Sequence, residues 1–278
     1  MANITAADVN KLRQMTGAGM MDCKNALKES DGDFDLAIES LRKKGQKLAN
    51  KRADRDANEG IVIAKTNAAN TYGAVLMLNC ETDFVGKNED FVNFANSIMD
   101  LAIEKAPKSL DELKALQLDG LTVMEHVTEM VGKTAEKMDI PHFEVIEAPI
   151  VFAYNHHGNR LGTLLGLNKA DVAGIDTIGH EVAMQVAAMA PVAVDKDGVD
   201  QETIQKEIEI GKDVARQEGK PEEMLEKIAI GKLNKFFKEN TLLNQEFIKD
   251  NKTTVRDMLA KADKSLTVTG FRRLMLGA

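Results

Sequence analysis

The stretch NCETDFVGKNEDF, residues 79–91, decides the reading of this chain. It ends one apolar run and precedes a segment of helical periodicity, so it joins a strand to a helix. At its tip Asp83 and Phe84 set a charge beside a large apolar ring. A tip built this way either packs Phe84 onto its own helix near Phe91 or reaches into another molecule. Upstream, residues 60–67 and 72–81 are rich in Ile, Val, Leu and Met around a polar turn at Asn70. That pattern predicts a β-hairpin whose second strand delivers the tip. Downstream, Asn88 is suited to cap a helix, with Glu89 and Asp90 in its first turn, where negative charge suits the macrodipole. Phe91, Phe94, Ala95, Ile98, Leu101 and Ala102 then fall on one stripe.

Working outward toward the N-terminus, residues 1–45 read as three helices. Thr5 and Asp8 have capping-box spacing, and Ile4 and Val9 are placed as a hydrophobic staple. Gly17 supplies a left-handed stop. A second helix starts near Met20 with Cys23, Ala26 and Leu27 inward. Asp33 caps a third, with Ala37, Ile38 and Leu41 inward and Gly45 closing it. Residues 42–55 then hold Arg42, Lys43, Lys44, Lys47, Lys51, Arg52 and Arg55. This run reads as a solvated linker, partly helical, or as a basic contact patch.

On the other side, Ser109 with Glu112 and Thr122 with Glu125 mark two more capping boxes. The second opens a helix carrying Val127, Met130, Val131 and Met138, and Pro141 ends the section. Another β region spans residues 143–169, turning at His156, His157, Gly158 and Asn159. A helix from Ile175 carries Ile178, Val182, Val186 and Met189 on one side and stops at Pro191. Residues 201–218 and 222–238 are two amphipathic patterns separated by Gly219, Lys220 and Pro221, which predicts an antiparallel helical hairpin. Their apolar faces are narrow, as in a coiled-coil seam. A short helix at 254–262 and a strand at 266–276 close the chain.

The bulk numbers fit this α+β plan. A chain of 278 residues fits two or three domains, and its 44% hydrophobic and 29% charged residues describe an ordinary globular protein. The net charge of −8 argues against broad binding to nucleic-acid phosphates. Cys23 and Cys80 are far apart and sit in apolar contexts, which predicts reduced, buried thiols and a reducing, cytoplasmic setting. MANITAADVN lacks signal-peptide regions, and no run reaches membrane-spanning length. Phosphate-cradling, nucleophile-elbow and CxxC motifs are missing, so neither an enzyme nor a cofactor site is expected. His180-Glu181 starts a zinc-protease pattern, but Met184 stands where the second ligand belongs. A Cys80, His157 and Asp83 nucleophilic set has no support in spacing.

Three motifs carry a family resemblance. TGAGMMDCKNAL at 16–27, NCETDFV at 79–85 and HGNRLG at 157–162 occur in an order and spacing that closely resemble elongation factor Ts. The resemblance spans essentially the whole chain. It implies a ubiquitin-associated-type helical domain with its basic linker at 1–56, and a core of two α+β subdomains with small antiparallel sheets at 57–140 and 141–278. It also implies a dimerising helical hairpin inserted at about 200–238. The implied partner is the GTPase elongation factor Tu, whose GDP is exchanged for GTP after its Mg²⁺ site is disturbed. By the same resemblance Phe84 is the wedge, Asp83 rearranges the partner's hydrogen bonds, and Thr82 and Val85 shape the tip. Arg13, Met20, Met21 and His157 are further partner contacts, His157 being chosen over His156 because it directly precedes Gly158. Family members often continue into a C-terminal helical module; with the last strand ending just before Ala278, contacts from such a module are expected to be missing. The alternative is a protein that holds the GTPase without driving exchange.

Overall fold

The structure is a computed structural model, described here for residues 3–277. The first two residues of the MANITAADVN reading and Ala278 lie outside the described residues. Three helices come first: α1 (Ala6–Thr16), α2 (Met20–Glu29) and α3 (Phe34–Lys51). Strands β1 (Glu59–Thr66) and β2 (Tyr72–Cys80) follow, then α4 (Asp83–Gly86), α5 (Glu89–Lys105) and α6 (Leu110–Ala115). A small ribbon of β3 (Gln117–Leu118) and β4 (Leu121–Thr122) leads into α7 (Val123–Thr134) and β5 (Met138–Glu147). Strands β6 (Ile150–Asn155) and β7 (Leu161–Leu167) precede α8 (Ile175–Met189), α9 (Gln201–Gln217) and α10 (Glu222–Asn240). The chain ends with β8 (Glu246–Phe247), β9 (Asp250–Thr254), α11 (Val255–Ala262) and β10 (Val268–Met275). Helices beside small antiparallel sheets make the fold α+β.

The chain divides into two compact units. Among the described residues one comprises 3–63, 76–144 and 275–277, the other 64–75 and 145–274. The divisions fall inside β1, β2, β5 and β10, of which β1, β2 and β5 form one three-stranded sheet in the order β1-β2-β5. Pro141 therefore sits within an edge strand and does not end an element. An edge position tolerates it because a proline has no N–H to give the ladder. Met138, expected on a helix, opens the same strand, since α7 stops at Thr134 with Ala135 in the left-handed region.

In the first unit the capping chemistry lies where the residues predict it. Thr5 and Asp8 exchange both capping bonds, and Gly17 closes α1 at φ 67°. Val9, Leu12, Cys23, Ala26, Leu27 and Ala37 form a small buried cluster, with Ile4 packed against it. Gly45, expected to end the third helix, is instead buried inside α3. A Cβ there would stand 3.2 Å from the Thr128 carbonyl oxygen, and one on Gly132 would stand 3.3 Å from the Gly45 Cα. The two glycines thus let α3 and α7 approach backbone to backbone. Part of the basic run, up to Lys51, is helical, in keeping with the partly helical reading. Thr122 and Glu125 cap α7 reciprocally, whereas at α6 Glu112 reaches back to the Lys108 N–H and not to Ser109.

In the second unit β6 and β7 pair antiparallel from Ile150↔Leu167 to Asn155↔Gly162, within a sheet of order β10-β7-β6. Helix α8 contributes Val182, Ala183 and Val186 to the core that Phe152, Leu165 and Leu167 form on this sheet. Met189, expected on that inward side, is exposed at the last turn, before Ala190 and Pro191. Helices α9 and α10 pack as a two-helix hairpin with Ala215, Leu225 and Ala229 buried.

Candidate functional site

Strand β2 ends at Cys80, and the chain then turns through Glu81 and Thr82 into α4, a single helical turn and not a loop. Thr82 caps it from extended backbone at φ −124°, ψ 154°, and its hydroxyl accepts the Val85 N–H at 3.4 Å. Gly86 and Lys87 donate back to the Thr82 and Asp83 carbonyls at 3.1 and 3.0 Å. Gly86 is buried where side chains do not fit. A Cβ there would meet the Gly60 Cα and N at 3.3 Å and Cys80 Sγ at 3.4 Å. Gly60 itself, at φ 138°, leaves 2.1 Å between its would-be Cβ and the Leu78 carbonyl oxygen. The turn is therefore seated directly on the backbone of β1.

Two carboxylates brace this turn. The Glu136 oxygens accept from the Thr82 N–H at 3.0 Å and the Thr82 hydroxyl at 2.7 Å. Glu81, with 14% of its side chain exposed, accepts from Arg52 at 2.7 Å, Arg55 at 3.0 Å and the Lys137 N–H at 2.6 Å. Burial raises the Glu81 pKa, but the Lys137 N–H and the two guanidinium groups outweigh it and hold the carboxyl at about 2. Lys137 Nζ also donates to the Ala53 and Arg55 carbonyls, each at 2.7 Å. Arg42 reaches Glu129 on α7 at 3.0 Å, and Lys44 is paired with Asp22 on α2. Much of the basic run is thus a set of struts. The run is solvated and partly helical, as one reading had it, but Arg42, Lys44, Arg52 and Arg55 are engaged by carboxylates of other elements.

On this support Phe84 is 85% exposed, so it does not pack onto its own helix. Asp83 is half-exposed and pairs with Lys87 at 2.6 Å; that hydrogen bond and charge hold its carboxyl below the usual range. Val85 is half-buried. A groove of about 710 Å³ is lined by Phe84 and Phe94, by Met15 and Gly17 at the end of α1, and by His126 and Lys133 of α7. The structure thereby brings the Thr82–Val85 turn to the same groove as the end of α1. Arg13 is exposed in the last turn of α1, and Met20 and Met21 are 60% and 62% exposed at the start of α2. Only one of the two methionines had to be exposed on helical geometry. Met15, also exposed, was not singled out from the sequence. His157 belongs to the other unit, exposed in the β6–β7 turn with Gly158 at φ 84°. His156 is beside it in that turn, its Nδ1 2.9 Å from the Tyr154 hydroxyl. The pair therefore does not alternate across a strand, as extended backbone would have it.

The chemistry of nucleophiles is poorly served here. Cys80 is buried and donates to the Thr82 carbonyl at 3.1 Å. Burial, helped by the Glu136 and Glu59 charges, pushes its thiol up to about 12, so it stays protonated at neutral pH. His180 turns its Nδ1 to the Asp176 carbonyl at 2.8 Å, and its ring packs edge-on to Phe152. Glu81, Glu136 and Lys137 are the neighbours of the turn that sequence reasoning missed. Glu81 stands inside the opening motif, and the unexplained basic run was the signal that an acidic partner existed. Nothing local pointed to Glu136.

Comparison with known proteins agrees with these motifs. A family profile described as Elongation factor TS matches residues 81–278. The curated protein "Elongation factor Ts" of Christiangramia forsetii is 54% identical over 277 residues, covering 100% of both chains. That of Flavobacterium psychrophilum is 54% identical over 278 residues, again covering 100% of both. That of Porphyromonas gingivalis is 46% identical over 276 residues and 99% of each. With its braced tip, its capped N-terminal helices and full-length similarity to these proteins, the chain belongs to the elongation factor Ts family of translation elongation factors.

Proposed function

We propose that this protein binds elongation factor Tu carrying GDP and promotes exchange of GDP for GTP by disturbing the partner's Mg²⁺ and phosphate site. The observation that carries the reading is Phe84, a fully presented aromatic on a turn fixed by tertiary hydrogen bonds. A ring held in water at such exposure gains most by entering an apolar crevice of a partner. In a GTPase, Mg²⁺ neutralises phosphate charge, so displacing its supports leaves repulsion that expels the nucleotide. Phe84 is the wedge, Asp83 the charged group that enters beside it, and Thr82 and Val85 shape the turn. Arg13, Met20 and Met21 add grip from the N-terminal helices, and His157 makes a separate contact. Coupling is reciprocal: GDP weakens this protein's binding by the factor by which this protein weakens GDP binding. No covalent bond is made or broken, and the reading needs no cofactor, nucleic acid or membrane.

A cytoplasmic location suits a partner of this kind, and no helix among the described residues is long and apolar enough to cross a membrane. We further read the N-terminal helices as a ubiquitin-associated-type domain, and the α9–α10 arm as a homodimer contact. The arm carries Ile210, Val214, Met224 and Ile230 exposed.

Stopped-flow release of labelled GDP from the GTPase tests the exchange reading. Parent protein accelerates release, and Phe84→Ala and Asp83→Ala slow it. If both variants release GDP as fast as the parent, the tip is not the active element. Stable binding indifferent to GDP and Mg²⁺ would instead describe a holding protein.

A further inference from the structure

We infer that Glu136 is a positioning residue for exchange, holding Phe84 in its outward pose through Thr82; this rests on the reading of Phe84 as the group that enters the GTPase. Phe84 is almost wholly solvated, so little of its own side chain sets its direction. The backbone of α4 must do so, and a single helical turn is too short to hold itself. Its one cap is Thr82, and Glu136 takes both of that residue's donors, N–H at 3.0 Å and hydroxyl at 2.7 Å. An ionised carboxylate only accepts, so the single hydroxyl proton is committed to Glu136. That leaves an oxygen lone pair for the Val85 N–H, one residue beyond the ring. The Thr82 carbonyl is engaged as well, by Gly86 N–H and Cys80 S–H, each at 3.1 Å.

The next residue extends the hold. Lys137 binds Glu81 through its backbone N–H, and Ala53 and Arg55 through its ammonium group. Residues 136 and 137 therefore clamp 82 and 81 in register and tie them to the chain just past α3. Glu136 touches no nucleotide in this scheme; it acts through the turn it orients.

The test is a double-mutant cycle on GDP release at saturating exchange factor, with amide hydrogen exchange of the full-length chain as a second readout. Glutamine at 136 offers an NH₂ to one of two donors that both need an acceptor. Glu136→Gln should slow release roughly tenfold and speed exchange of the Val85 and Gly86 amides by a similar factor, leaving α5 amides unchanged. In a Phe84→Ala background it should cause no further loss, because there is no ring left to position. Thr82→Ala, which removes the hydroxyl, should loosen the same amides from the other partner. Parent-like protection of Val85 and Gly86 in Glu136→Gln overturns the proposal, as do losses that multiply with Phe84→Ala. Slow release by Phe84→Ala with parent-rate release by Glu136→Gln sinks this proposal alone; parent-rate release by Phe84→Ala sinks the tip reading and this proposal with it.

Discussion

The tip at Phe84 and the arm of α9 and α10 both turn apolar side chains to solvent, but they are held in opposite ways. The tip is one turn long and is fixed by groups remote in sequence: Glu136, Lys137, Arg52 and Arg55. The arm is two long helices held chiefly by one another, through small buried residues such as Ala215 and Ala229. Its closing turn is made by local backbone bonds around Gly219 at φ 73°, and the Arg216 pairs with Asp213 and Glu222 are exposed and of the kind that contribute little. Its root is tied by Asn244 to Asp195 at 2.7 Å and by the Leu242 N–H to the Ala193 carbonyl at 2.9 Å. A short element needs tertiary bracing to present one side chain in one pose. A long element can present a stripe from local periodicity alone, with less control over direction.

The contrast can be broken by substitution. Its largest test is Phe84→Ala. Burying a phenylalanine is worth about 1.5–3 kcal/mol, so stimulated GDP release should fall roughly ten- to a hundredfold. The melting temperature of the free chain should stay put, because the ring is solvated before binding. A fall in melting temperature would show that the ring supports its own fold.

Glu81→Gln probes the bracing. The folded carboxyl sits at about 2 against an ordinary value of 4.5, a depressed pKa. Its stabilisation is therefore fully present above pH 4.5 and is lost as pH falls toward 2. From that shift, reduced for the exposed Arg55, Glu81→Gln should cost about 2–3 kcal/mol at neutral pH. Urea denaturation at steps from pH 7 to pH 3 should show parent and variant converging at the acid end. Parallel curves would mean that the Lys137 N–H and the arginine contacts together contribute nothing net.

The arm has its own test in Gly211→Val. A Cβ at 211 would lie 3.0 Å from the Ala229 Cα, so the helices must separate. The cost should fall at the low end of the roughly 1–3 kcal/mol of overpacking, because a two-helix arm yields by spreading. Amide exchange should rise along α9 and α10, while GDP release stays at the parent rate. Slower release would mean that the arm and the tip are coupled. A small effect on stability is expected from Ile210→Ser combined with Val214→Ser, both exposed. Light scattering should show the assembly halving in mass, as it should on removing residues 200–238; an unchanged mass for both would refute the arm as the dimer contact.

What was legible was what short-range chemistry controls. Thr5–Asp8 and Thr122–Glu125 are three residues apart, so their capping boxes can be read from spacing and are formed. The Asn70 turn, the Asn88 cap and the break at Gly219 to Pro221 follow from the same local rules. Gly45 was misread because a glycine near a helix end signals a stop by local rules, while here it answers a close approach by Gly132 of α7. Pro141 was misread for a similar reason: its meaning depends on whether its strand lies at a sheet edge. Asp83 and Phe84 stood out as an unusual pair, but solvent exposure is a property of the packed chain.

By itself the sequence determined most of the longer helices, the hairpin turns, the capping boxes at Thr5 and Thr122 and the family, because each is written within a few residues or in motif order. Only the tertiary structure decided that the basic run supplies struts, that Phe84 faces water, and that Glu136 grips Thr82 across 54 positions of chain. Carboxylates and arginines carry no mark of their partners until folding removes the water that would otherwise solvate them.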